Sequence, residues 1–258
     1  MNDRLIIIAG PCVIESKENI MEIASYMAGL VEKYDIDYYF KASFDKANRS
    51  SIDSYRGPGI RDGLDILREV KGKFGFKIVT DIHEPYQAEI VAEVCDVVQI
   101  PAFLCRQTDL LVAAARTQKI INVKKAQFFA PWDMKNVIDK IKASGNERIW
   151  LCERGSTFGY NNLVVDMTSI CLMKKYGFPV IFDATHSVQK PGGNGTSTGG
   201  NREFVEPLAK AAAAVGADGL FFEIHPDPDK ALSDGPNMIK LPDFEDVLRK
   251  VIKIHEAL

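Results

Sequence analysis

Residues 179–186 read Pro-Val-Ile-Phe-Asp-Ala-Thr-His, a short apolar run that finishes on a side chain able to bind, ionise or move a proton. The same grammar recurs on both sides of it. LIIIAGP leads to Cys12, YYF to Lys41, KIVT to Asp81, VVQ to Gln99, INV to Lys124, IWLCE to Arg154 and LFF to Glu223, which with PVIFDAT and His186 makes eight runs. Short Val- and Ile-rich runs bounded by turn formers read as buried strands. Between them lie stretches of helical periodicity at 19–33, 60–74, 86–94, 108–117, 134–144, 163–176, 202–215 and 244–256. Gly75, Gly145, Gly177 with Pro179, and Gly216 stand where helices turn back to the next strand. Eight strands alternating with eight helices predict an α/β fold, a single (β/α)8 TIM barrel over residues 1–258, with its active site where the strands finish.

Length and composition agree with that expectation. The chain has 258 residues, close to the roughly 250 of one such barrel. Hydrophobic residues make up 46% and charged residues 26%, as in ordinary globular domains. The net charge is −3, and Lys and Arg are spread through the helices, so no nucleic-acid partner is expected. An odd number of cysteines, Cys12, Cys95, Cys105, Cys152 and Cys171, without CxxC spacing, suits reduced thiols in a cytoplasmic protein. The start MNDRLIIIAGP enters a strand at once, and no apolar run is long enough to span a bilayer, so neither export nor membrane insertion is expected.

Three connections are longer than is usual after a barrel strand: 43–59 after strand 2, 187–201 after strand 7, and 224–241 after strand 8. The glycine and small polar content of 43–59 and 187–201 suggests a mobile cover over the catalytic face. GGNGTSTGG, within 187–201, lacks the G-x-G-x-x-G pattern that follows a strand and opens a helix, so no nucleotide cofactor is expected.

Five cations, Lys41, Lys46, Arg49, Lys124 and Arg154, lie at or just beyond strand ends. Any one of them could be a solvated surface residue. Their convergence on one mouth calls for anionic ligands, and phosphate groups carry about −1.5 to −2 each near neutral pH. Cys12, His186 and Glu223 come from the ends of strands 1, 7 and 8, which are neighbours in a closed barrel, and Asp234 from the loop after strand 8; the four could meet at one divalent ion. A mixed sulfur, nitrogen and oxygen shell suits Zn²⁺ or Fe²⁺ better than Mg²⁺, with Mn²⁺ also possible, whereas Cys12 alone could equally be a small buried thiol. His83 and His225 either support the site from behind or are polar loop residues. Phe103, Phe128, Phe129, Trp132 and Phe158 read as packing walls rather than a cofactor box.

Several motifs in one order are more specific. KASFDKANRSS with SYRGPG, TDIHEP, IPAFLCRQTDLL, NVKKAQF, ERGSTFGYNNLVVDM, FDATHSVQ and ALSDGPN closely resemble the 3-deoxy-D-manno-octulosonate 8-phosphate (KDO 8-phosphate) synthases, also called 2-dehydro-3-deoxyphosphooctonate aldolases. The likeness runs essentially end to end. The related DAHP synthases typically carry Lys-Pro-Arg-Thr-Ser where this chain has Lys46-Ala47-Asn48-Arg49-Ser50.

The resemblance implies condensation of phosphoenolpyruvate with D-arabinose 5-phosphate and water, giving KDO 8-phosphate and phosphate for lipopolysaccharide. It implies that Lys41, Lys124, Arg154 and His186 contact phosphoenolpyruvate, with Gln99 and Gln127 beside them. Lys46 would reach the sugar phosphate near its aldehyde, and Asn48, Arg49 and Ser50 would hold the phosphate, helped by Arg106 of a neighbouring subunit in a homotetramer. Lys46, His186 and Asp81 would be the catalytic groups. Members with Cys at the position of Cys12 are metal-dependent and those with Asn are not, so Cys12, His186, Glu223 and Asp234 are expected as ligands. The competing expectations are a DAHP synthase taking erythrose 4-phosphate, and a silent sugar-phosphate sensor that keeps the pocket.

Overall fold

Each of the eight apolar runs forms a parallel strand: β1 (Ile6–Gly10), β2 (Asp37–Lys41), β3 (Lys77–Asp81), β4 (Val97–Ile100), β5 (Ile120–Lys124), β6 (Ile149–Glu153), β7 (Val180–Asp183) and β8 (Gly219–His225). In this computed structural model, which describes residues 4–192 and 199–258, neighbours pair in sequence order and β8 closes onto β1. The closing register runs from Ile6 opposite Gly219 to Gly10 opposite Glu223. The predicted (β/α)8 barrel is therefore the observed fold.

The helices are α1 (Lys17–Lys33), α2 (Ile60–Phe74), α3 (Gln87–Ala92), α4 (Thr108–Arg116), α5 (Met134–Ala143), α6 (Thr168–Lys174), α7 (Val205–Ala214) and α8 (Leu241–His255). Their apolar stripes lie on the outside of the barrel. In α8, Leu241, Phe244, Val247, Leu248 and Val251 follow helical spacing and are buried, each worth about 1.5–3 kcal/mol of transfer free energy. The four glycines expected after helices all take positive φ, between 69° and 82°.

Some helix boundaries differ from expectation: α8 begins at Leu241, three residues before the expected 244, with Pro242 in its first turn. α1 starts two residues earlier than its periodicity suggests because Ser16 caps it, accepting a hydrogen bond from the Asn19 backbone N–H at 3.1 Å. The stretch 163–176 is not one helix. Leu163–Val164 pairs antiparallel with Ser156–Thr157, and α6 begins only after Asp166, whose carboxylate accepts from the Thr168 N–H and hydroxyl at 2.9 and 2.6 Å. Residues 202–204 form a 3-10 turn before α7 rather than its first turn. Part of the expected cover, residues 193–198, lies outside the described residues. Among the described residues, no helix is long and apolar enough to cross a membrane.

Inside the barrel, Ile8, Tyr39, Val79, Val97, Trp150, Cys152, Ile181 and Phe221 form one buried cluster. A second, larger cluster fills the space between strands and helices. Since alternate strand residues face opposite sides, the inner cluster fixes which residue follows it toward the C-terminal mouth.

Candidate active site

Counting two residues on from the inner cluster gives Gly10, Lys41, Asp81, Gln99, Arg154, Asp183 and Glu223, and the same parity on β5 gives Lys124 after Asn122. The apolar interior thus ends in a ring of polar and charged groups with a glycine at one place. Apart from Asp183, these side chains are the ones the sequence nominated. β1 and β2 stay paired beyond their last strand residues: the Ile14 N–H donates to the Ser43 carbonyl at 2.9 Å, which keeps Cys12 beside Lys41. The Lys41 ammonium donates to the Cys12 carbonyl at 3.1 Å and to Ser43 Oγ at 2.8 Å, and Ser43 Oγ donates to Asp81 Oδ1 at 2.5 Å.

Cys12, Glu223 and Asp234 offer ligand atoms that all lie within 4.8 Å of one another. His186 Nε2 stands 3.5 Å from Glu223 Oε1 and 3.7 Å from Asp234 Oδ2, so it adjoins this group of three without belonging to it. Glu223 is 0% exposed, and neither carboxylate oxygen accepts a hydrogen bond from the described residues. Burying a bare carboxylate is costly unless a cation satisfies it. Lys41 and Lys46 approach Oε1 only at 3.6 and 3.9 Å. Burial, then Asp234 and Glu223, push the Cys12 thiol well above its ordinary value, and it lies 3.0 Å from Ser233 Oγ and 3.1 Å from Asp234 Oδ2. A thiol, an imidazole and two carboxylates around an unsatisfied buried charge form a donor set that fits a divalent cation, whose binding would displace the thiol proton.

Asp183 was not singled out in the sequence, although it lies in the quoted FDATH, and its carboxylate organises half of the mouth. It is 0% exposed, pairs with the Lys124 ammonium, and accepts from the His186 backbone N–H at 2.9 Å. His186 Nδ1 lies 2.7 Å from its Oδ2, which turns Nε2 toward the two acids. Burial favours the neutral acid, but His186, Lys124 and Arg154 outweigh it and hold the Asp183 carboxyl far below the usual range. Burial likewise favours neutral His186, yet Asp183 and then Glu223 raise its value. Arg154 donates through Nη2 to Gln189 Oε1 at 2.6 Å, and its buried Nη1 finds no partner among the described residues.

These groups open into one cavity of about 930 Å³. Its walls include Lys41, Lys46, Asn48, Arg49, Ser50, Asp81, Gln99, Lys124, Gln127, Arg154, His186 and Asp234. Cys12 and Glu223 lie fully buried and are not part of its walls. Arg49 reaches across the mouth, donating to Ser233 Oγ at 2.8 Å, the Leu232 carbonyl at 2.7 Å and the Tyr55 carbonyl at 3.1 Å. Arg106 is the exception: it is exposed, outside the cavity walls, with its guanidinium 5.8 Å from the Phe129 ring. His83 supports the site, 3.1 Å from Asp81, whereas His225 binds Asn19 and the Asp227 N–H away from the cavity walls. Four of the five aromatics expected to be packing walls are instead 53–72% exposed, lying in 3-10 turns and loops that the described residues do not cover; of the five, Phe129 is buried.

The whole of residues 1–258 matches the model described as the DAHP synthetase I family. Three bacterial proteins named 2-dehydro-3-deoxyphosphooctonate aldolase are similar along nearly their full length. That of Fusobacterium nucleatum is 58% identical over 255 residues, covering 99% of this chain and 92% of the relative. A Cyanothece protein is 59% identical over 252 residues, covering 98% and 92%. The Geobacter metallireducens protein is 58% identical over 247 residues, covering 96% and 91%.

Proposed function

This chain belongs to the DAHP synthetase I family, and from that footing we propose that it condenses phosphoenolpyruvate with D-arabinose 5-phosphate and water to give KDO 8-phosphate and inorganic phosphate. The observation that carries the reading is the convergence of Lys41, Lys46, Arg49, Lys124 and Arg154 on one cavity beside the bare Glu223 carboxylate. Buried carboxylates already offset part of that positive charge, as Asp183 does for Lys124. A divalent cation at Cys12, His186, Glu223 and Asp234 would restore the excess that two phosphorylated substrates require.

In the reaction, C3 of the enol bonds to the aldehyde carbon, the oxygen of water bonds to C2, and the C2–O bond to phosphate then breaks. Lys41, Lys124 and Arg154 are nearly dry, at 1%, 5% and 4% exposure, so their charges act on phosphoenolpyruvate with little screening. Holding two mutually repelling anions with their reacting carbons in contact is the larger part of the work. Lys46 lies at the aldehyde end, where the new alkoxide takes up a proton, and Arg49 with Asn48 and Ser50 clasps the sugar phosphate. Gln99 and Gln127 orient the enol, and Asp81 fixes Lys41 through Ser43. A divalent cation held by Cys12, His186, Glu223 and Asp234, with Zn²⁺, Fe²⁺ and Mn²⁺ as candidates, would supply Lewis acidity there.

A homotetramer accords with Arg106 lying off its own cavity and with the exposed rim aromatics Phe103, Phe128, Trp132 and Phe158, and a cytoplasmic location with the free cysteines. Purified protein given phosphoenolpyruvate, arabinose 5-phosphate and a divalent metal should release phosphate. Absence of release under every metal condition would reject the assignment. Faster turnover with erythrose 4-phosphate would favour the DAHP reaction, and binding of phosphoenolpyruvate without turnover would indicate a sensor.

A further inference from the structure

Immediately outside the ring of inward groups, most strand ends carry small or apolar side chains. The residues after the inward group include Ala42, Ile82, Ile100, Ala184 and Ile224, and those before it include Phe40, Val98, Phe182 and Phe222, all buried. Thr80 is buried and polar, but two positions carry a charge, and each is the sequence neighbour of a phosphoenolpyruvate-facing cation. Lys125 follows Lys124 and is 0% exposed; Glu153 precedes Arg154 and is 1% exposed. Neither lines the cavity.

The two are joined, with Lys125 Nζ 3.4 Å from Glu153 Oε1. That same oxygen accepts from the Arg154 N–H at 3.0 Å and the Gly155 N–H at 2.6 Å, and Oε2 accepts from Ser169 Oγ at 2.6 Å. Lys125 Nζ reaches Ser156 Oγ at 3.1 Å and the Phe129 carbonyl at 3.3 Å. The pair therefore grips the turn after β6 from below and ties it to the end of β5. Buried ion pairs contribute little net stability compared with apolar residues of similar size. Placing one here, where neighbouring strands use Ile or Phe, points to a task other than holding the barrel together.

We propose that Lys125 and Glu153 are positioning residues that set the spacing and aim of Lys124 and Arg154, and thereby govern the affinity for phosphoenolpyruvate rather than for the sugar phosphate. This rests on the function proposed above. The Glu153 carboxylate fixes the backbone on which Arg154 turns into the cavity, and Lys125 fixes the carboxylate. A displacement of the order of 1 Å in such groups costs up to about a hundredfold.

The test compares wild type with Lys125→Met/Glu153→Gln, which removes both charges and leaves neither buried alone. Kinetics are measured for each substrate, with calorimetric titration of phosphoenolpyruvate. The expected result is a roughly ten- to hundredfold rise in KM and Kd for phosphoenolpyruvate, a KM for arabinose 5-phosphate within about twofold, and retained cooperative melting. Should the double variant fail to fold, Ser169→Ala, which removes one hydrogen bond to Glu153, decides by the same substrate-selective rise, about two- to fivefold, or its absence. Equal effects on both substrates, or none, in a wild-type background that turns over would overturn the inference alone. A wild type that neither binds phosphoenolpyruvate nor releases phosphate would overturn it together with the function.

Discussion

Gly10→Ala probes the join between barrel and site. A Cβ built on Gly10 would lie 2.1 Å from the carbonyl oxygen of Lys41 on the neighbouring strand and 3.1 Å from its nitrogen. Comfortable carbon–oxygen contacts begin near 3.3 Å, so β1 and β2 must part locally by about 1.2 Å. A ladder hydrogen bond stretched by that much leaves the range of about 2.7–3.2 Å and is lost. Overpacking costs about 1–3 kcal/mol and a buried group left unpaired about 1–3 kcal/mol more, together roughly 2–6 kcal/mol. Against a total stability of about 5–15 kcal/mol this is a large fraction, and for a chain of this size it lowers the melting temperature by about 4–24 °C. Lys41 moves with the strand, so phosphate release should fall by up to about a hundredfold as well. Gly219→Ala is the control: its Cβ would meet Ile6 and Ile181 at 2.7 Å, but at the opposite end of the barrel. That variant should melt early yet keep its turnover once folded. Calorimetry and a phosphate-release assay on both proteins check this. Gly10→Ala melting within about 2 °C of wild type with unchanged kinetics would show that the strands yield freely and that the reasoning is wrong.

Other expectations follow from the same geometry. Cys12→Ser should lower bound metal, measured by elemental analysis, while circular dichroism stays unchanged, because a hydroxyl is a much poorer ligand than thiolate for Zn²⁺ or Fe²⁺; full metal content in the variant would make Cys12 a packing residue. Arg49→Ala should raise KM for arabinose 5-phosphate by about ten- to hundredfold, from losing a charge-assisted contact of about 1.5–3 kcal/mol, and change that for phosphoenolpyruvate far less. Equal changes would contradict the division of the mouth. For Asp81, burial pushes the carboxyl up, but Lys41, His83 and Lys46 outweigh it and hold it well below the usual range. Its folded value lies beneath the unfolded value of about 3.9, so its stabilisation is complete above about pH 5 and disappears as pH falls through the folded value. The stability difference between wild type and Asp81→Asn should shrink on acidification below about pH 4, and a constant difference would refute this.

The strands and the site residues at their ends were legible because period-two burial leaves a plain signature: an apolar run must stop where the interior stops, and the next inward residue stands out. Asp183 escaped notice although the same parity marks it, since Ile181 is inward and Asp183 follows by two; His186 drew the eye instead. Lys125 and Glu153 had no comparable signal, for beside Lys124 and Arg154 they resemble ordinary charged neighbours. Only their near-zero exposure separates them. The stretch 163–176 misled because Leu163, Val164, Val165 and Met167 imitate a helical face, whereas hydrogen bonds to the Asp166 carboxylate start the helix late. Four rim aromatics were misjudged because sequence shows that a residue is apolar, not whether anything covers it.

Asp183 has one further consequence. A single carboxylate serves both the Lys124 ammonium and the His186 ring, so it cannot satisfy one without regard to the other. An anion that draws Lys124 toward itself frees negative charge to fall on the imidazole, and a change at the imidazole alters how tightly Lys124 is held back. What binds at Lys124 and what binds at His186 are thereby linked, and thermodynamic reciprocity makes the influence equal in both directions.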